Sequence, residues 1–264
     1  MIKKIAQSHG IKLKKRFGQH FLRDQSVVDH MIDHVTLGSD TSVFEIGCGD
    51  GFLTQSILKQ DLARLWVFEI DEQWADHVRD TFDDPRLSVF EDNFLDIDFD
   101  LLRPHRPWTV LANLPYQVTF PIIYTFQKHR DLLQEGVIMI QEEVAQKIVK
   151  TSGRGYGFPS LFLQHYFEWK LLNKVKPEAF YPPPKVTSRL LYFKPRADVQ
   201  AIPDEENFWK FIKVCFRQPR RTLRNNLEQA HYDLKQISDE QFKLRAQQMS
   251  MSDLLKIWDS VRRV

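Results

Sequence analysis

TSVFEIGCGDGFLT, residues 41–54, decides the fold of this chain. TSVFEIG (41–47) is an apolar run of the length and kind expected for a short strand buried on both faces. Gly47-Cys48-Gly49-Asp50-Gly51 then places glycines after that strand and before a helix candidate at 51–60. Glycines there let the backbone pass close to a ligand. The same pattern also fits an ordinary tight strand-to-helix turn, so its surroundings must be read with it.

Outward from this loop, apolar runs and helical patterns alternate. RLWVFEI (64–70), RLSVFE (86–91), WTVLAN (108–113) and GVIMIQ (136–141) read as further buried strands. Helices are predicted over 72–82, 119–129 and 142–150, the second with Thr119 as N-cap and Pro121 in its first turn. Strands alternating with helices predict a parallel sheet in a doubly wound α/β fold. Two more strands are expected near 166–175 and 186–193, separated by FYPPPK (180–185), which is too stiff and too poor in donors for a strand interior. Beyond Pro195 no strand-like run remains, and 204–264 reads as three or four charged amphipathic helices. The boundary is placed in the polar linker 196–203, which divides the chain into domains 1–197 and 198–264.

The acids that follow the glycine loop narrow the ligand. Glu69 closes the second strand, where a carboxylate can bind both hydroxyls of a ribose, and Asp92 closes the third, within reach of an adenine amino group. Together with Glu45 and Asp50 they make the carboxyl end of the sheet acidic. That disfavours a pyrophosphate and suits a positively charged nucleoside cofactor such as S-adenosylmethionine.

The fourth strand stops in Asn113-Leu114-Pro115-Tyr116. An adenine N6 amine is a poor nucleophile because its lone pair is delocalised into the ring. The Asn113 side-chain carbonyl and the Leu114 backbone carbonyl can accept its two hydrogens, favouring a pyramidal nitrogen. Pro115 fixes the local backbone and Tyr116 can stack on the base. No strong base is required, because orientation and stabilisation of the charge developing on the amine suffice. A plain turn explains Asn and Pro individually; it does not explain their place after the glycine loop, Glu69 and Asp92.

The chain has 264 residues, 42% hydrophobic and 27% charged, as expected for a soluble globular protein with a sizeable core. It shows no membrane span and no secretory leader, and Cys48 and Cys215 form neither a disulfide framework nor a metal cluster, so a cytoplasmic location is expected. Net charge is only +2, but residues 1–23 (with Lys14, Lys15 and Arg16) and 207–227 (with Arg217, Arg220, Arg221 and Arg224) are basic and free of acids. Such segments suit a polyanion partner, although solvated faces look the same.

These residues resemble the ribosomal small-subunit RNA adenine N6,N6-dimethyltransferase family over nearly the whole chain. The matching stretches are KKRFGQHFL (14–22), EIGCGDGFLT (45–54), VFEID (67–71), NLPY (113–116), QEEVAQKI (141–148), AFYPPPKVTSRL (179–190), FRQPRRTLRNNL (216–227) and RAQQMSMSDLL (245–255). The resemblance implies a Rossmann-like seven-stranded methyltransferase fold with a small all-α C-terminal domain that binds RNA. It places His20 and Leu22 in a segment folding over S-adenosylmethionine, with Gly47, Gly49, Glu69, Asp92 and Asn113 lining that site. It sets Phe180 opposite Tyr116 across a flipped adenine. Cys48 stands where the family more often has proline, and Asn93-Phe94 where it has smaller residues.

The implied activity is dimethylation of two adjacent adenines in a small-subunit rRNA loop, with a role in small-subunit biogenesis, by a monomer that binds the rRNA or its precursor particle. A large-subunit rRNA adenine methyltransferase of the antibiotic-resistance type shares the fold and the four-residue corner. A non-catalytic RNA-binding assembly or transcription factor on the same scaffold is the rival of another class, and it predicts a degraded site.

Overall fold

A computed structural model describes residues 11, 14, 19–230, 232, 234, 238, 240 and 243–261. The chain divides into two compact units, Met1–Ala145 with Glu168–Pro195, and Gln146–Phe167 with Arg196–Val264.

In the first unit β1 (Phe21–Leu22) precedes α1 (Gln25–Ile32), and the sheet then builds through β2 (Ser42–Ile46), α2 (Phe52–Leu58), β3 (Arg64–Phe68), α3 (Glu72–Thr81) and β4 (Leu87–Phe90). It continues through β5 (Trp108–Asn113), α4 (Thr119–Lys128) and β6 (Leu133–Gln141), which leads into α5 (Glu142–Val149). After α6 (Phe158–Tyr166) come β7 (Phe167–Val175), β8 (Phe180–Tyr181) and β9 (Ser188–Pro195). Seven strands form one sheet in the order β4-β3-β2-β5-β6-β9-β7. The first five are parallel neighbours and β9 runs antiparallel to β6.

Every residue of β2 is buried, as a strand covered on both faces requires. Phe44 anchors the packing, with Phe94, Trp108 and Phe126 ring centres 5.4, 5.9 and 6.3 Å away. Phe94 is thereby accounted for: its ring fills core space and fixes the loop after β4. From β2 the sheet grows through β3 in one direction and through β5 in the other. The crevice at the carboxyl ends of β2 and β5 is therefore the topological switch point, where such sheets bind ligands.

Three expectations are corrected. Thr119 is not an N-cap: a short 3-10 turn over Tyr116–Val118 runs straight into α4, and the Thr119 hydroxyl donates back to the Pro115 carbonyl at 3.2 Å. Phe180 and Tyr181 do form a strand, because they meet Leu22 and Phe21 in a two-stranded ladder before the prolines begin. The segment Gln146–Phe167, expected within the first domain, groups with the C-terminal residues, while the break at Pro195/Arg196 lies two residues before the expected one.

The second unit explains that grouping. It contains α6, α7 (Glu205–Cys215), α8 (Leu223–Glu228) and α9 (Met251–Val261). The buried positions of α7, Phe208, Trp209, Phe211, Ile212 and Cys215, recur at helical spacing. Trp209 Nε1 donates to the Tyr166 hydroxyl of α6 at 2.9 Å, and the Phe162 ring lies 5.0 Å from that of Trp209. Trp258 of α9 meets Phe211 at 5.4 Å and donates to the Pro203 carbonyl. One aromatic core thus joins segments far apart in sequence.

Candidate active site

A cavity of about 230 Å³ opens at the switch point. It is lined by His20, Leu22, Gly47, Gly49, Glu69, Asp92, Asn113, Leu114, Pro115 and Tyr116, so ten expected site residues converge there.

The glycine loop shapes one wall. Gly47, Gly49 and Gly51 have φ of +74°, +52° and +82°, a region L side chains rarely enter. At Gly49 space is decisive as well: a Cβ would lie 2.5 Å from the Phe21 ring. The Gly49 N–H donates to Glu69 Oε2 at 3.1 Å, and the Asp71 N–H donates to Oε1 at 3.0 Å. Two backbone donors thus hold the Glu69 carboxylate, and each oxygen keeps acceptor capacity. Burial raises the Glu69 pKa, which these two bonds oppose. Cys48 is buried with Sγ 3.8 Å from Glu69 Oε2, and burial pushes its thiol pKa well up, so it is a small packing residue and no nucleophile.

The four acids of this region do not contribute equally. Asp50 forms an ion pair with Arg23 in which both side chains are buried, so its charge is compensated. Glu45 is 1% exposed; Thr54 Oγ1 donates to its Oε2 at 2.7 Å. Its Oε1 is buried with no hydrogen-bond partner among the described residues. Burial, helped by Glu69 and Asp50, raises the Glu45 pKa to about 8. The uncompensated negative character of the cavity therefore rests on Glu69 and on Asp92, which lines it from an exposed position.

The residues from Gln19 to Arg23 form a strap, of which Gln19 to Leu22 line the cavity. His20 Nδ1 lies 2.8 Å from the Pro182 carbonyl oxygen, β1 pairs with β8, and Arg23 N donates to the Ala179 carbonyl at 2.7 Å. Lys14 Nζ and Gln19 Nε2 both donate to Asp71, at 2.6 and 3.1 Å. Lys14, expected to contact phosphate, is thus engaged in holding the strap, while Lys15 and Arg16 lie outside the described residues.

At the corner, Asn113 Nδ2 donates to the His20 carbonyl at 3.1 Å. With its amide nitrogen so oriented, the side chain offers its Oδ1 as the remaining acceptor. The Leu114 N–H donates to the Met139 carbonyl at 3.1 Å, extending the strand ladder by one residue and fixing the corner. Tyr116 is half-buried, with its hydroxyl 2.6 Å from Ser188 Oγ and its ring stacked near His20 at 6.0 Å between centres. Phe180, expected to face Tyr116, is instead 3% exposed within the hydrophobic core and is not part of the cavity wall. Alternation along the two-residue β8 directs it inward while Tyr181 is the more exposed.

Arg217, Arg220, Arg221 and Arg224 belong to the second unit and are exposed, with Arg224 paired to Glu228. Sequence reasoning missed Phe21, Arg23, Ile70 and Ser188. Ile70 had a signal, since a large apolar residue directly after Glu69 stands 50% exposed in the cavity wall. Arg23 was hidden in a basic run, and Ser188 was 72 residues from its partner.

The family model described as "Ribosomal RNA adenine dimethylase" matches residues 10–261. The chain is 32% identical over 263 residues to a protein of Chlorobium phaeobacteroides named ribosomal RNA small subunit methyltransferase A, covering 99% of this chain and 96% of the relative. A protein of that name from Syntrophotalea carbinolica is 37% identical over 216 residues, 81% of either chain. Among solved structures, a dimethyladenosine transferase from Plasmodium falciparum gives a TM-score of 0.69 at 24% identity, over 79% of this chain and 75% of that one. The 23S rRNA methyltransferase ErmE gives 0.69 at 21%, over 92% and 100%. At those identities the two structures speak for the fold alone.

Proposed function

Because the chain belongs to the ribosomal RNA adenine dimethylase family, we propose that it transfers methyl groups from S-adenosylmethionine to N6 of two adjacent adenines in a small-subunit rRNA loop. The observation that carries this reading is the convergence of the Asn113–Tyr116 corner, the glycine loop and Glu69 on one cavity.

The residues present fit the cofactor. Glu69, held by two backbone N–H groups with acceptor capacity to spare, suits the two hydroxyls of a ribose. Ile70 offers an apolar face to a planar ring, and the exposed Asp92 carboxylate at the cavity wall suits a positively charged cofactor. His20, Leu22, Gly47, Gly49, Glu69, Asp92 and Asn113 would hold the cofactor, which when bound supplies an electrophilic methyl group on a sulfonium.

The chain's own contribution is orientation. In the first transfer Asn113 Oδ1 and the Leu114 carbonyl accept the two N6 hydrogens, drawing the amine out of conjugation and stabilising positive charge as it develops; in the second, the one hydrogen left on N6 meets one of these acceptors. Tyr116 stacks on the adenine. No side chain has to act as a strong base, because the proton leaves after the nitrogen has become cationic. Arg217, Arg220, Arg221 and Arg224 would contact phosphates, which position the RNA while unstacked bases are read in a loop. A cytoplasmic monomer acting on small-subunit rRNA or its precursor particle, in the course of subunit biogenesis, completes the reading.

The test is incubation of purified protein with methyl-labelled cofactor and unmethylated small or large subunits. Label in N6,N6-dimethyladenosine of the small-subunit rRNA is expected. Label confined to the large subunit, or none, overturns the proposal.

A further inference from the structure

We propose that Ser188 is a positioning residue for this reaction, holding the ring of Tyr116 in the plane against which the target adenine stacks. The inference rests on the reading of Tyr116 as the stacking residue.

Ser188 is fully buried, yet its hydroxyl lies 2.6 Å from the Tyr116 hydroxyl, across 72 residues of chain. A buried hydroxyl needs a partner, and this one meets the outer end of the aromatic ring at the catalytic corner. The Ser188 side is rigid. It opens β9 in register with Gln141, and the Glu142 N–H donates to the neighbouring Thr187 carbonyl at 3.0 Å. The next residue, Arg189, is clamped by the Glu142 carboxylate and by the Leu172 carbonyl at 2.6 Å.

Tyr116 starts a short 3-10 turn, so its backbone fixes one end of the side chain and leaves χ1 and χ2 to decide where the ring lies. A phenol hydroxyl prefers to lie in the plane of its ring. A hydrogen bond at that hydroxyl therefore limits the swing of the ring and also biases its rotation about the Cβ–Cγ bond. The roles of donor and acceptor are interchangeable between two hydroxyls, and the constraint is the same either way. Burial raises the Tyr116 pKa, so the phenol stays neutral and able to donate.

The consequence is kinetic. A base stacked on a freely tilting ring presents N6 to Asn113 and Leu114 in many orientations, and misplacement of that order lowers turnover far more than binding. Ser188 touches no reacting atom and acts only through Tyr116.

The experiment compares the full-length wild type with Ser188→Ala, Tyr116→Phe, the double variant and Ser188→Thr, on unmethylated small subunits with labelled cofactor. Each single variant is expected to lower kcat on the order of tenfold, with KM for the subunit and cofactor affinity changed less than about twofold. The double variant should be no slower than the slower single one, since both changes break one bond. Ser188→Thr, which restores the hydroxyl, should recover most of the rate. A Ser188→Ala protein with wild-type kcat, or a double variant whose loss is the product of the two single losses, overturns the inference. So does a kcat loss that Ser188→Thr shares in full. A wild type that methylates no adenine overturns the functional reading itself, an outcome distinct from an active wild type indifferent to Ser188.

Discussion

Replacing Glu45 with glutamine should make the protein increasingly more stable than wild type as pH rises. The side chain is buried beside Glu69 and Asp50, and its carboxyl pKa is raised from 4.5 to about 8. Between those two values the folded protein keeps a proton that the unfolded chain has already released, so the unfolded state binds fewer protons. Stability is then at its full value below pH 4.5 and falls as pH climbs to about 8. The slope is about 1.4 kcal/mol per pH unit, so the wild type stands roughly 3 kcal/mol below its acid-side value at pH 7 and about 5 kcal/mol below it past pH 8. Glutamine has the same shape, still accepts the Thr54 hydroxyl and does not titrate. Its gap to wild type should therefore widen by about 2 kcal/mol from pH 6 to pH 8, the slope levelling off as pH reaches the folded-state pKa. In a chain of this size that corresponds to a difference in Tm growing by roughly 4–8 °C. Thermal melts of both proteins, followed by circular dichroism at pH 6, 7 and 8 and constant ionic strength, give the number directly. A fixed offset at any one pH is uninformative, because the glutamine amide also changes local hydrogen bonding. A gap that stays constant across the three pH values would refute the reasoning, since it would mean that Glu45 is already ionised throughout.

Gly49→Ala should lower cofactor affinity more than tenfold, because the new Cβ collides with Phe21 at 2.5 Å and the residue must hold φ of +52°; equilibrium binding of the cofactor measures it. Arg23→Met should destabilise the protein by about 3–5 kcal/mol by leaving Asp50 buried without a counter-charge, and adding Asp50→Asn should recover much of the loss; denaturant titrations of the three variants decide this. Asn113→Ala should lower kcat by about 10²–10³, the effect of removing one oriented polar partner of a developing charge. Steady-state kinetics checks it, and a variant that retains the wild-type rate would exclude Asn113 from the chemistry.

Sequence and structure agree where local pattern carries the information. The buried runs at 41–47, 64–70 and 108–113 became β2, β3 and β5 because an apolar strand covered on both faces has few other ways to satisfy its backbone. The glycine loop, Glu69 and the Asn113 corner were legible for the same reason. Each sits directly after such a strand, so the strand's end delivers it to the switch point.

Charge was less legible. Four acids at the mouth of a sheet look alike in sequence, yet Asp50 is compensated by Arg23 and Glu45 is held largely protonated near neutral pH. Lys14 read as a phosphate contact because its partner Asp71 lies 57 residues away. Phe180 read as a stacking ring, whereas the pairing of β8 with β1 turns it into the core.

By itself, then, the sequence determined the strand order's raw material, the family and the place of the Asn113–Tyr116 corner at a strand end, because these depend on residues close together in the chain. Only the tertiary structure decided which groups carry free charge, which ring faces the cavity, that Gln146–Phe167 packs with the C-terminal helices, and that Ser188 reaches Tyr116. Those outcomes depend on burial and on partners brought together by the sheet, and neither is encoded in the spacing of neighbouring residues.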